Sequence, residues 1–325
     1  MLIDTSAILL NLLNIALIGL FAATLLLSSL SPFFARWATQ LSAGARQEIL
    51  WSFVAAPWLV GILCALLFLP SLAESESAIW LGRLAHWHHP YVFYLDSWHS
   101  AVLLFFVLGI VYVLVRSGLK AVRHTNALQI LTRLSQTHSG YGDIGRDVVV
   151  LDSQAPAAFS AGIFLPRCYV TTGLMEQVSE TELGIILDHE RAHIRHKDTE
   201  KKLLFSLFAS LYPKPVARGL NRLFSLASEQ RADAQVCTSY GNFDIAQTLV
   251  KVARLQRCFA GNLHPAMVSH FAADDIDLRI RALVFHERSQ LPPWGYCLLF
   301  LGVITLFSTV GVDALHHVVE AAFSH

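Results

Sequence analysis

SETELGIILDHERAHIRHKD, residues 179–198, combines a helix start with two histidines set one helical turn apart. Ser179 and Glu182 stand in an S-x-x-E arrangement, the capping box that closes the free amides at a helix N-terminus. Further along the same predicted helix lies His189-Glu190-Arg191-Ala192-His193. Side chains four residues apart sit about 40° from each other around an α-helix axis, one turn above the other, so both imidazoles can reach a single cation. Zinc takes such nitrogen ligands at about 2.0–2.1 Å and, in catalytic sites, keeps a position open for water. Glu190, beside the first histidine, is placed to take a proton from that water as it attacks a polarised peptide carbonyl. With 15 His in the chain, His-Glu-x-x-His would arise by chance only about 0.02 times, which outweighs the alternative of two surface histidines among charged neighbours.

One zinc ion per chain needs a third protein ligand. The best candidate is Glu229 in LASEQRADAQV, with Asp233 one turn further on, so that one carboxylate can bind metal while the other orients a ligand. A solvated acidic face paired with Arg231 or Arg222 would have the same spacing. Asp198, five residues after His193, is a second supporting carboxylate, its alternative being a salt bridge to Lys202. Arg231, Tyr212, His196, His264 and His270 are all candidates for stabilising an oxyanion.

Working outward, a hydrophobic content of 54% against 15% charged residues exceeds what a soluble core of this size uses. Four stretches approach the length needed to cross a bilayer: about 7–30, 51–69, 100–115 and 294–312. Trp51, Trp98, Trp294 and Tyr296 stand at their ends, where aromatic rings favour the interface. The first stretch lacks the basic start and small-residue cleavage site of a signal peptide and reads as a retained anchor. Arg36 and Arg46 fall in the loop 31–50, and 21 of the 24 Lys and Arg fall in 116–293. By the positive-inside tendency both segments are cytoplasmic, and the N- and C-termini are extracytoplasmic.

Equal numbers of acidic and basic residues, 24 each, give no electrostatic footprint for nucleic acid, and no direct nucleic-acid contact is expected. The five cysteines are widely spaced and read as free thiols. The segment 116–293 is long enough for one domain. It holds DVVVLDS as a short strand and IFLP with CYVTT as a strand pair joined near Pro166 and Arg167, followed by helices. KKLLFSLFASLYPKP is too short to span and reads as a buried or membrane-surface helix. In 70–100, His86, His88, His89 and His99 suit a transition-metal or pH sensor, or else an interfacial aromatic and histidine belt.

HERAHIRHKD, a long apolar helix, then EQRAD, with AFSAGIFLPRCYVTTGL before and DLRIRAL after, resembles the membrane zinc peptidases of the BlaR/MecR antirepressor type and, more distantly, the HtpX-type membrane proteases. The resemblance covers roughly 150–290. It implies His189, His193 and Glu229 as metal ligands, Glu190 as base, and Asp198 and Asp233 as supports. It also implies that Gly162, Ile163 and Phe164, in the strand around 162–172, form an edge that pairs with extended substrate, the alternative being an ordinary hairpin covering the helix.

The expectation is therefore an α-helical membrane protein with four transmembrane helices and a small α+β zincin-like (gluzincin) cytoplasmic metallopeptidase domain. Its parts would be a membrane region 1–115, the peptidase domain 116–293, and a fourth span with a short tail, 294–325. Its location would be a bacterial inner or plasma membrane, in contact with the lipid bilayer. The expected activity is zinc-dependent endopeptidase action on a polypeptide, a cytoplasmic regulator such as a DNA-binding repressor. The alternatives are quality control of membrane proteins, as in the HtpX type, and a non-catalytic receptor or scaffold that has kept the motif.

Overall fold

A computed structural model describes residues 2–69, 91–135, 148–162, 166–261, 271–285 and 294–323. His86, His88, His89, Ile163, Phe164, His264 and His270 lie outside the described residues.

The chain begins with a two-residue strand β1 (Leu2–Ile3), then helices α1 (Thr5–Ala38) and α2 (Ala43–Leu67). A second short strand, β2 (Val92–Phe93), pairs antiparallel with β1, and α3 (Trp98–Ser135) follows. Next come β3 (Val148–Leu151), β4 (Ala158–Ala161), β5 (Arg167–Thr171) and the single turn α4 (Thr172–Met175). The rest is helical: α5 (Glu180–His196), α6 (Asp198–Ala209), α7 (Lys214–Val236), α8 (Asn242–Gly261), α9 (Phe271–Phe285) and α10 (Trp294–Phe323).

Four of these helices are long and apolar enough to cross a membrane: α1, α2, the Trp98–Arg116 part of α3 and the Cys297–Leu315 part of α10. The stretch in α3 has none of its residues buried within the protein, and Leu104, Phe105, Leu108 and Tyr112 are all exposed on it. A helix apolar on all sides and uncovered by protein is stable only in lipid. α1 and α2 pack most closely. At Gly61 a Cβ would stand 2.6 Å from the Ala16 carbonyl oxygen, so only glycine allows the helices to approach there. Buried Asn14 donates to the His99 carbonyl at 2.8 Å, and the His99 ring stacks on Trp98.

The sheet has the order β3-β5-β4, with β3 parallel and β4 antiparallel to β5. Of the expected strand pair, Cys168–Thr171 of CYVTT falls in β5, whose antiparallel partner among the described residues is Ala158–Ala161; residues 163–165 of the IFLP stretch lie outside the described residues. Gly162 follows the end of β4 at φ 115°, a left-handed backbone that glycine adopts without a Cβ penalty and that turns the chain out of the strand.

The short apolar helix α6 does not lie apart from the spans. Phe205 and Ala209 are fully buried in a core shared with Ile15 and Ile18 of α1, Phe53 and Val54 of α2, Phe224 of α7 and Ile304 of α10. Trp51 meets Phe205, Phe208 and Phe224 edge-on, and Tyr212 donates its hydroxyl to the Phe53 carbonyl at 2.7 Å. α6 and α7 are thus built onto α1 and α2, and the histidine-motif helix α5 packs in turn against α6 and α7.

Candidate metal centre

α5 starts where the sequence pattern places it. The Ser179 amide donates to Glu182 Oε2 at 2.8 Å and the Glu182 amide donates to Ser179 Oγ at 3.3 Å, completing the capping box. Lys251 reaches the same carboxylate at 2.5 Å. The Lys251 hydrogen bond, then the Ser179 amide, hold the Glu182 carboxyl below the usual carboxylate range. Buried side chains fix the rotation of the helix. Ile186 packs with Val170 of β5 and Leu174 of α4, and Ile185 packs with Val236, Ile245 and Leu283 from α7, α8 and α9. The remaining face presents His189 and His193 toward α7.

α5 ends at Lys197, whose φ 54° and ψ 44° place a non-glycine residue in the left-handed region. That one residue turns the chain sharply, so that buried Asp198, the first residue of α6, folds back onto His193. Asp198 Oδ2 lies 2.7 Å from His193 Nδ1, and Asp233 Oδ1 lies 3.0 Å from His189 Nδ1. Each ring therefore has a carboxylate on Nδ1, which places the N–H there and leaves the Nε2 lone pair pointing away.

Those two lone pairs converge. His189 Nε2 and His193 Nε2 are 3.1 Å apart, and Glu229 Oε2 is 3.3 Å from the first and 3.5 Å from the second. Three electron-pair donors face one another in a near-equilateral triangle, which is repulsive unless a cation or protons lie between them. Ligands at about 2.0–2.1 Å from a tetrahedral zinc ion are separated by about 3.3–3.4 Å, so the observed edges bracket that value. The donor set and its spacing fit zinc. Among the described residues these three form the group of His, Cys, Asp or Glu side chains able to hold a metal ion.

The charges agree with the geometry. Glu190, Asp198, Glu229 and Asp233 carry four negative charges into the site against the two positive charges of Lys202 and Arg279, leaving two for a divalent cation to neutralise. In the metal-free protein this field favours protons on the rings. For His193 burial, the largest effect, pulls the pKa down, but the hydrogen bonds to Asp198 and Glu229 outweigh it and hold the value at about 9. For Glu229 burial alone would raise the pKa, yet the hydrogen bonds to His189 and His193 hold the carboxyl well below its usual range.

Among the described residues, the cations considered as alternative partners for these carboxylates contact other groups. Arg231 NH1 donates to Gln47 Oε1 at 2.9 Å, Arg222 binds Asp275, and Lys202 reaches Glu229 Oε1 at 3.2 Å rather than Asp198. Two of the oxyanion candidates are engaged elsewhere: Arg231 with Gln47, and Tyr212 with the backbone of α2. The cation that does stand at the centre is Arg279 on α9. It grips Asp233 through Nε at 2.8 Å and NH2 at 2.7 Å and lies 3.4 Å from Glu229 Oε2. Its only sequence signal was its place in DLRIRAL, a segment named above without a role for its arginine.

Glu190 lines a cleft of about 350 Å³ together with His189, Glu229, Asp233 and Arg279. The far wall of this cleft is apolar, formed by Ile186, Leu226, Ile245, Leu249 and Val252, and Ala158 of β4 closes one side.

Residues 122–263 match the model of Peptidase family M48, whose members are metal-dependent and usually use zinc. The matched segment contains His189, Glu190, His193, Asp198, Glu229 and Asp233, while Arg279 lies beyond it. Residues 122–263 are thus similar to the metallopeptidases of family M48, and they sit in a protein with four helices long and apolar enough to span a membrane.

Proposed function

We propose that the protein is a zinc-dependent endopeptidase of the membrane, with His189, His193 and Glu229 as ligands and Glu190 as general base. The observation that carries this reading is the triangle of His189 Nε2, His193 Nε2 and Glu229 Oε2, with edges of 3.1, 3.3 and 3.5 Å. When bound there, zinc would supply Lewis-acid polarisation of a peptide carbonyl and of a water molecule. Glu190 takes the proton from the attacking water and passes it to the leaving amine. Asp198 and Asp233 hold the two imidazoles in the tautomer that frees Nε2. Arg279 keeps Asp233 ionised and brings positive charge to the edge of the cleft.

The substrate is an extended polypeptide. Among the described residues β4 pairs only with β5, and Ala158 on it lines the cleft, which supports its other edge as the place where a peptide would pair. Backbone pairing along this edge would lay a peptide past Glu190 with an apolar side chain against Leu249 and Val252. The distribution of basic residues supports a cytoplasmic peptidase domain with both termini outside. The likeness to the antirepressor type supports a cytoplasmic regulator, such as a transcriptional repressor, as substrate.

The test is the purified chain in detergent, assayed for zinc content and peptide hydrolysis beside Glu190→Gln. One zinc per chain in both proteins, with hydrolysis reduced about 100- to 10,000-fold in the variant, is the expected result. Zinc-free wild-type protein, or equal hydrolysis by both, would refute it. Comparison of new protein N-termini in cells carrying either form then separates one or two cuts in a regulator from many cuts across membrane proteins.

A further inference from the structure

We infer that Arg46 and Gln47, on the first turn of α2, position the metal ligand Glu229 by clamping α7 from behind, so that the membrane hairpin is part of the metal centre's scaffold. The inference rests on the zinc reading above and concerns residues far from the metal in the chain.

Arg46 reads in the sequence as a loop charge that sets topology, yet it is only 2% exposed. Its guanidinium donates through Nε to the Ala38 carbonyl at 3.0 Å, through NH2 to those of Thr39 at 3.2 Å and Leu41 at 2.9 Å, and through NH1 to Gln230 Oε1 at 2.7 Å. It therefore closes the carbonyl of the last α1 residue and two in the turn that follows, where a cation also complements the helix dipole, and fastens this turn to α7. Gln47, 3% exposed, donates to Ser228 Oγ at 3.0 Å and accepts from Arg231 NH1 at 2.9 Å.

The three α7 residues held this way are 228, 230 and 231, which flank the ligand 229 without including it. At about 100° per residue they lie roughly 100° behind, 100° ahead and 200° ahead of Glu229, an arc centred opposite it. The hairpin thus grips the back of α7 while the front presents the ligand. Gln230 extends the connection, donating Nε2 to the Leu278 carbonyl at 3.1 Å, next to Arg279, which holds Asp233 and Glu229. A rotation or lift of α7 by a fraction of an ångström would open the 3.1–3.5 Å triangle, and these contacts are what resist it.

The experiment uses the full-length chain in detergent and compares wild type with Arg46→Met, Gln47→Ala, Gln47→Glu and Tyr212→Phe. Zinc affinity is read by competition with a chromophoric chelator, and thermal unfolding is read on the metal-free proteins. Arg46→Met and Gln47→Ala should each weaken zinc binding about tenfold, the size of effect seen when groups that orient metal ligands are removed. Gln47→Glu, whose carboxylate still accepts from Arg231 and can accept the Ser228 hydroxyl in place of the donated bond it loses, should restore affinity to within about twofold. Tyr212→Phe removes a hydrogen bond between the same hairpin and the α6–α7 connection and should lower the unfolding temperature without changing zinc affinity. Wild-type affinity in Arg46→Met and Gln47→Ala, or equal weakening in Tyr212→Phe, overturns the inference while leaving the zinc reading intact. A wild-type chain that binds no zinc overturns both.

Discussion

Replacing Asp198 by Asn tests whether the carboxylate on His193 Nδ1 tunes the metal site or merely packs beside it. Asp198 Oδ2 is 2.7 Å from His193 Nδ1, and the residue is buried. Asparagine keeps the volume and can place its carbonyl oxygen where Oδ2 lies, so the fold should persist. The charge is lost, however, and with it the basicity that the carboxylate lends to Nε2. The amide can also turn its NH2 toward Nδ1, which shifts the ring proton to Nε2 and blocks the metal-facing lone pair. Outer groups of this kind are worth tenfold to a hundredfold in metal affinity, or about 1.4–2.7 kcal/mol. The assay is chelator competition at fixed pH, with helix content followed by circular dichroism to show that α5 and α6 remain. Zinc affinity within twofold of wild type, with the fold intact, would refute the argument that Nδ1 partners set the ligand tautomer here.

The remaining predictions concern stability. Arg279→Met should destabilise the protein by about 3–5 kcal/mol, since it strands buried Asp233 without the bidentate partner at 2.7 and 2.8 Å; a loss under 1 kcal/mol by chemical unfolding would contradict this. Gly61→Ala should cost about 1–3 kcal/mol, because its Cβ would meet the Ala16 carbonyl oxygen at 2.6 Å, and unfolding in mixed detergent would report it. Glu182→Gln should lower stability at neutral pH. The folded-state pKa of Glu182 lies below its ordinary 4.5, so its contribution is complete above that value and is lost as pH falls through the folded value. The gap between wild type and variant should therefore close on acidification; a gap that persists in acid would show that the cap, not the charge, carries the effect.

The capping box at Ser179 and Glu182, the histidine pair at 189 and 193, and the carboxylate pair at 229 and 233 were legible without a structure. Each is a relation within one helix, where a spacing of three or four residues dictates shared direction. The four long apolar helices were legible for a related reason: solvation by lipid needs composition and length, not partners. Of the strand pair, CYVTT was legible as a strand, while the partner it has among the described residues, β4, was not. IFLP is the more apolar run, while β4 is the small-residue stretch AFSA, whose pairing with Arg167–Thr171 depends on register.

What only the tertiary structure decided is which charges meet. Lys202 could pair with Asp198 by spacing, but the left-handed turn at Lys197 directs Asp198 to His193 and leaves Lys202 to Glu229. Arg279 joins the centre from a helix 46 residues beyond Asp233. Arg46, which by sequence was one positive charge in a loop, reaches Gln230 across 184 residues and is buried. The sequence by itself determined the candidate donors and the helices long and apolar enough to cross a bilayer, because both follow from local pattern. Their completion into a centre with matched charge, fixed to the membrane hairpin, required the packing of α2, α7 and α9, since contacts between distant segments have no period to read.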